Sequence, residues 1–182
     1  MLTPTPPYLG QGKRYGCPEV DHEKLIARLV SEFPDGWALS CHSPSLRVLL
    51  PMCPEDVRVA CWVKTYVNHR KHVYPGYSWE PVIFRGGRVP DHARRTVTKH
   101  TDDSLVCAPY MRAHIDVFTG AKPPEFCLWL FNLMGMEKTD TLVDLFRGTG
   151  AVSVAWETFC RQGNLFDAQP VGGDPEKRRL RS

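Results

Sequence analysis

Two short stretches of this chain carry residues whose types and spacing could do chemistry. Near the N-terminus, Thr5-Pro6-Pro7-Tyr8 sets two prolines between a hydroxyl and an aromatic ring. Proline fixes φ and removes the backbone N–H. The pair therefore makes a stiff loop that presents carbonyls without competing donors. Such a loop can accept hydrogen bonds from the amino group of a nucleobase, and Tyr8 offers a ring face for that base to stack on once it leaves the duplex. Near the other end, Asp144-Leu-Phe-Arg-Gly-Thr-Gly150 follows Thr141-Leu-Val and precedes a helical run from Ala151 to Cys160. Gly148 and Gly150 lack the Cβ atoms that would block a ligand from the backbone. The first turn of the following helix leaves N–H groups unpaired for a polar ligand.

Charge points the same way. The net charge of the 182 residues is only +3, but it is uneven. Between positions 64 and 99 lie Lys64, Arg70, Lys71, Arg85, Arg88, Arg94, Arg95 and Lys99 against Glu80 and Asp91, eight bases less two acids, a local +6. A basic, aromatic-rich segment in a near-neutral chain suits a phosphate backbone. The seven cysteines are scattered and include no C-x-x-C pair, which fits reduced, packed thiols in a reducing cytoplasm. His69-x-x-His72 has no partner ligands at metal-binding spacing, so no metal is expected. No run of about 18 apolar residues is present, so no membrane span is expected.

The elements that must position these residues can be placed coarsely. Asp21 is a candidate N-cap. Leu25, Ile26, Leu29, Val30 and Phe33 then recur at helical spacing up to Pro34-Asp-Gly36. Trp37–Cys41 reads as a short buried strand, Ser43–Met52 as a helix with proline near its start, and Asp56–Lys64 and Ser78–Arg85 as strands. Residues 86–120 have weak periodicity and are expected to be an irregular, substrate-facing loop region. Lys122-Pro123-Pro124 opens a helix closed by Gly135. Thr141–Phe146 reads as a strand, 151–161 as a helix, and Asn164–Asp167 as the start of one more strand. One domain over 1–170 and a charged, disordered tail over 171–182 are expected. Helix and strand alternate, which predicts an α/β fold with a mostly parallel sheet. Ligands on such sheets bind beyond the carboxyl ends of strands, and both motifs directly follow strand segments.

With both motifs in place, the chain resembles the amino-directed DNA methyltransferases. These modify the exocyclic amino group of adenine or cytosine and are often encoded by bacteriophages. They carry Asp/Asn/Ser-Pro-Pro-Tyr/Phe/Trp. Here that motif comes first and the glycine motif last, the permuted order. Asp35-Gly-Trp-Ala-Leu-Ser40, Arg58–Lys64, Tyr77–Gly87 and Gly120–Phe126 add to the resemblance, which spans roughly residues 3–160. It implies a Rossmann-like, S-adenosylmethionine-dependent methyltransferase fold with a reduced sheet. It also implies S-adenosylmethionine as cofactor, DNA as partner, and a catalytic loop of Thr5, Pro6, Pro7 and Tyr8. Lys122 and Pro123 match the segment lining the methionine end of the cofactor. Asp144, Phe146, Gly148 and Gly150 match the cofactor motif, and Asp167 matches the acid that binds the ribose hydroxyls. Lys64, Arg70, Lys71, Arg85, Arg88, Arg94 and Arg95 would contact DNA. The location implied is cytoplasmic, in the host cell if phage-encoded. A homodimer or a partner subunit that completes the short cofactor pocket stays open.

Thr5 departs from the Asp form. A carboxylate makes charge-assisted bonds to amino protons, roughly twice as strong as neutral ones; a hydroxyl accepts more weakly. Three readings follow: an adenine enzyme that tolerates a neutral acceptor, a cytosine enzyme, since Ser stands here in many of those, or a weakened protein that binds cofactor and DNA.

Overall fold

The computed structural model describes residues 6–10, 12–16, 18–66, 71–89, 101–109 and 121–161. Asp21 starts the first helix, α1 (His22–Glu32), by accepting the Lys24 N–H at 3.1 Å. Its inward residues Leu25, Ile26 and Leu29 are buried, as the spacing predicts. The 43–52 segment is not one helix. It is a 3-10 turn, a single α-turn, α2 (Leu46–Leu49), and a second 3-10 turn. Pro51 accounts for the break, because it has no N–H to continue the ladder.

Among the described residues four strands form one sheet: β1 (Gly36–Ser40), β2 (Arg58–Lys64), β3 (Trp79–Gly86) and β4 (Ser104–Cys107), in the order β1-β3-β2-β4. The expectation of a mostly parallel sheet is corrected here. β3 runs antiparallel to both β1 and β2, and among the described strands only β2 and β4 are parallel. A parallel return needs a crossover, usually helical. The 65–78 connection has no helix among its described residues, so β3 comes back antiparallel. β4 is a second correction, a strand within the stretch expected to be irregular. The Trp62 indole donates to the Cys107 carbonyl at 3.2 Å and the Trp129 indole to the Asp102 carbonyl at 2.9 Å.

Side chains alternate across the sheet. Trp37, Leu39 and Ile83 face α1 and Leu49, whereas Ala38, Val82 and Phe84 face the other layer. That layer holds α3 (Pro124–Leu133) and α4 (Ala151–Arg161). They are joined by Phe131, whose ring meets Trp156 at 5.2 Å and Phe159 at 5.6 Å. Gly135, at φ +60°, ends α3, with Met136 N–H returning to the Phe131 carbonyl at 2.8 Å. Thr141–Phe146, expected as a strand, carries one isolated bridge at Val143. Asp144 turns the chain there by accepting the Phe146 N–H at 3.1 Å, an Asx-type turn.

Candidate active site

Strand register decides which residues share an edge. Ser40 pairs with Val82, Val63 with Trp79, and Lys64 with Cys107. The carboxyl ends of β1, β2 and β4 and the start of β3 thus lie together. His42 follows β1, Lys64 ends β2 and Glu80 stands at the start of β3, all on that edge.

The Pro-Pro-Tyr loop is fastened there. Pro6 is buried, and Pro7 and Tyr8 are partly so. The Tyr8 hydroxyl donates to Glu80 Oε2 at 2.6 Å. The Tyr8 ring stacks on His42, with centroids 5.6 Å apart and planes 13° from parallel, and Tyr77 meets His42 edge-on at 4.4 Å. Past Tyr8, the backbone N–H groups of Gly10 and Gly12 donate to Glu19 at 2.6 and 3.1 Å. These two bonds hold the Glu19 carboxyl below its usual range. Thr5 lies outside the described residues.

Glu80 is the centre of a buried ionic cluster. Lys122 Nζ donates to its Oε2 at 2.5 Å, and Lys64 Nζ donates to its Oε1. Lys122 is 4 % exposed and Glu80 8 %. The Lys122 ammonium sits 5.1 Å from the ring centres of both Trp62 and Phe126 and 6.0 Å from that of Tyr8, an aromatic surround that favours a cation. Burial alone pushes the Glu80 carboxyl up. The charges of Lys122 and Lys64, with their hydrogen bonds, outweigh it and bring the carboxyl down to about 2. Sequence reasoning assigned no role to Glu80. The signal available was an acid beside the buried run Pro81–Phe84, where a charge needs a partner.

The segment that opens α3 reaches the same edge through Lys122. Lys122 and Pro123 lead directly into α3, with Pro123 as its N-cap. The Cys127 thiol lies in the first turn of α3. Cys41, just past β1, senses Lys122 and Glu80. Burial raises both thiols to about 12, so they are packing groups rather than nucleophiles. Asp144 Oδ1 bonds Phe146 N–H, but its Oδ2 is buried without a partner among the described residues. Burial raises the Asp144 carboxyl above its usual value. Gly148 and Gly150 have φ of +46° and +73°. A Cβ at 148 would meet only the Phe146 carbonyl oxygen, at 3.8 Å, and one at 150 would meet nothing within 4 Å. An orphaned buried acceptor and a glycine turn with open space at its Cβ positions are both features that a polar ligand with donor groups fits. Phe146 packs partly buried against the α1-side core. Asp167 lies outside the described residues.

Among the described residues, the cations expected to bind DNA are not gathered in one place. Lys64 points into the Glu80 cluster, and Lys71 is exposed near it in sequence. Arg85 and Arg88 lie toward the other end of β3. Arg85 is five residues from Glu80, about 17 Å along a strand. Its guanidinium holds Asp56 at 2.7 and 2.9 Å, and Arg88 holds Asp140 in a two-pronged contact at 2.8 and 2.7 Å. Arg70, Arg94 and Arg95 lie outside the described residues. No helix among the described residues is long and apolar enough to cross a membrane.

No protein-family model and no curated protein sequence matches the chain. Solved structures do. The crystal structure of an M1.HpyAVI-SAM complex superposes with a TM-score of 0.63 over 87 % of this chain and 77 % of its own, at 14 % identity. The crystal structure of M1.HpyAVI gives a TM-score of 0.57 over 88 % and 76 %, at 12 % identity. The chain shares the fold of M1.HpyAVI: an α/β, Rossmann-like architecture, on a sheet reduced to four strands among the described residues.

Proposed function

We propose that this protein is an S-adenosylmethionine-dependent methyltransferase acting on the exocyclic amino group of adenine in DNA. One observation carries the reading. Glu80 ties Tyr8 of the Pro-Pro loop to Lys122, at the head of α3. The loop proposed to face the base and the segment proposed to line the cofactor are thus joined at one edge of the sheet, where α/β folds bind their ligands. That M1.HpyAVI was crystallised with SAM supports the choice of cofactor.

Bound there, the cofactor would supply an electrophilic methyl group. Asp144 would accept hydrogen bonds from its donors, Gly148 and Gly150 would let it reach the backbone, and Lys122-Pro123, Phe146 and Asp167 would line it. The chain's own chemistry is orientation and charge. The Pro6 carbonyl and the Thr5 hydroxyl accept the amino protons of the base. That turns the nitrogen lone pair out of the ring's conjugation and stabilises the positive charge that grows during attack. Tyr8 presents its ring to the base, and cations such as Lys71, Arg70, Arg94 and Arg95 hold the phosphates.

A cytosine target is the second reading, favoured by one residue. Thr5 is a neutral hydroxyl acceptor, closest to the Ser of many cytosine-directed relatives of this motif. The test is mass spectrometry of nucleosides after incubating the protein with DNA and S-adenosylmethionine. N6-methyladenine is expected. N4-methylcytosine would select the second reading, and no methylated base would leave a cofactor- and DNA-binding protein with a disabled site.

A further inference from the structure

Three elements distant in sequence converge on Glu80, and the chemistry above gives it no part. Its Oε2 accepts from both the Tyr8 hydroxyl and Lys122, and its Oε1 accepts from Lys64. The base-side loop, the end of β2 and the segment opening α3 thus share one carboxylate at the start of β3. We propose that Glu80 is a positioning residue that locks the Tyr8 ring to the Lys122-Pro123 segment, so that the base-facing loop and the cofactor-side helix hold a single relative placement. The proposal rests on the methyltransferase reading.

Two arguments favour positioning over simple stability. A buried ionic cluster gains little over well-packed apolar side chains, because desolvating the charges offsets their attraction. Here Trp62 and Phe126 already surround Lys122, so apolar packing was within reach at this spot. What the cluster adds is direction. A phenol bonded at 2.6 Å to a carboxylate that two ammonium groups hold in place can neither rotate nor slide. Stacking against His42 alone would permit sliding, since offset rings keep contact over a range of positions. The hydroxyl is the lock, because phenylalanine would fill the same space without it.

The test uses the full chain with Tyr8→Phe, Glu80→Gln and the double variant. Hydrogen exchange of the Tyr8 and Leu9 amides should quicken about tenfold in Tyr8→Phe, as loss of a bond to a charged acceptor implies, while β1 amides stay as slow as in the parent. In methyl transfer to DNA, Tyr8→Phe should lower kcat about tenfold with the KM for S-adenosylmethionine unchanged. Adding Tyr8→Phe to Glu80→Gln should cost clearly less kcat than it does in the parent, because a neutral amide that the lysines no longer anchor already holds the phenol more weakly. A merely structural role would quicken β1 exchange as well and spare kcat at permissive temperature. Parent-like exchange at Tyr8 and Leu9 in Tyr8→Phe overturns the proposal, and so does an equal kcat loss in both backgrounds. Should Glu80→Gln fail to fold, Tyr8→Phe decides by itself. Should the parent transfer no methyl group to DNA, the functional reading falls and the exchange measurement still decides the lock.

Discussion

Replacing Glu80 with glutamine should destabilise the protein in a pH-dependent way that the buried cluster dictates. The carboxyl falls from an ordinary 4.5 to about 2 on folding, which corresponds to about 3 kcal/mol of stability at neutral pH. The sign follows from the direction. The folded value lies below the unfolded one, so the contribution is complete above pH 4.5 and fades as pH falls toward 2. By pH 3.5 the unfolded chain has taken up most of its proton at this position and the folded chain almost none, so about 1 kcal/mol is lost. The substitution also leaves Lys64 and Lys122 without their shared anion, the kind of loss that costs about 3–5 kcal/mol at a buried pair. Urea unfolding followed by tryptophan fluorescence at pH 7 and pH 3.5 measures both quantities. The variant lacks the titrating carboxyl, so the parent-minus-variant difference isolates it. That difference should be several kcal/mol at pH 7 and smaller by about 1 kcal/mol at pH 3.5. A difference that is the same at both pH values would show that Glu80 is not held ionised by its lysines, and the electrostatic account would be wrong.

Four further outcomes are expected. Asp144→Asn keeps the Oδ1 contact to Phe146 N–H, so unfolding free energy should stay within about 1 kcal/mol of the parent while calorimetry shows S-adenosylmethionine affinity falling at least about tenfold; Gly148→Val should lose binding more completely, and unchanged affinity in either folded variant would remove the cofactor assignment. Gly135→Ala should cost about 2–5 kcal/mol in chemical unfolding, because a Cβ there drives into the Arg88 carbonyl at a left-handed φ. Replacing Arg94 and Arg95 with Ala should reduce the slope of log DNA affinity against log salt by about two, whereas Arg88→Ala, whose guanidinium is held by Asp140 at the far end of β3, should leave it unchanged. Thr5→Asp should raise methylation of adenine by restoring a charged acceptor, and loss of activity instead would make the hydroxyl a working part and favour cytosine.

The elements legible in the sequence are those whose signals are local. Asp21 as a cap and the 3.6-residue recurrence of Leu25, Ile26 and Leu29 announce α1, Pro124 and Gly135 bracket α3, and the run after Gly150 is α4. What was not legible depends on partners far along the chain. Ser104–Cys107 has no apolar alternation to mark it, and it becomes a strand because β2 lies alongside and two indoles bond the carbonyls at its ends. The direction of β3 is equally silent, since a buried run such as Pro81–Phe84 reads the same whichever way its neighbours point.

The site divides along the same line. The glycine turn is legible because its positive φ values are a local demand that only certain residues meet, and the Pro-Pro loop because proline restricts its own backbone. The Glu80 cluster is assembled from positions 8, 64, 80 and 122, and no spacing rule connects them. Composition nevertheless held a trace of it. Lys64 was counted among free cations for DNA and Glu80 among the acids that dilute them, yet the two cancel each other in the interior. A basic segment read by its sum therefore overstates the charge it can offer to phosphate. Arg85 and Arg88, each already matched to a carboxylate, reduce the offer further, so under the proposed function this stretch would offer phosphate only Lys71 among its described residues.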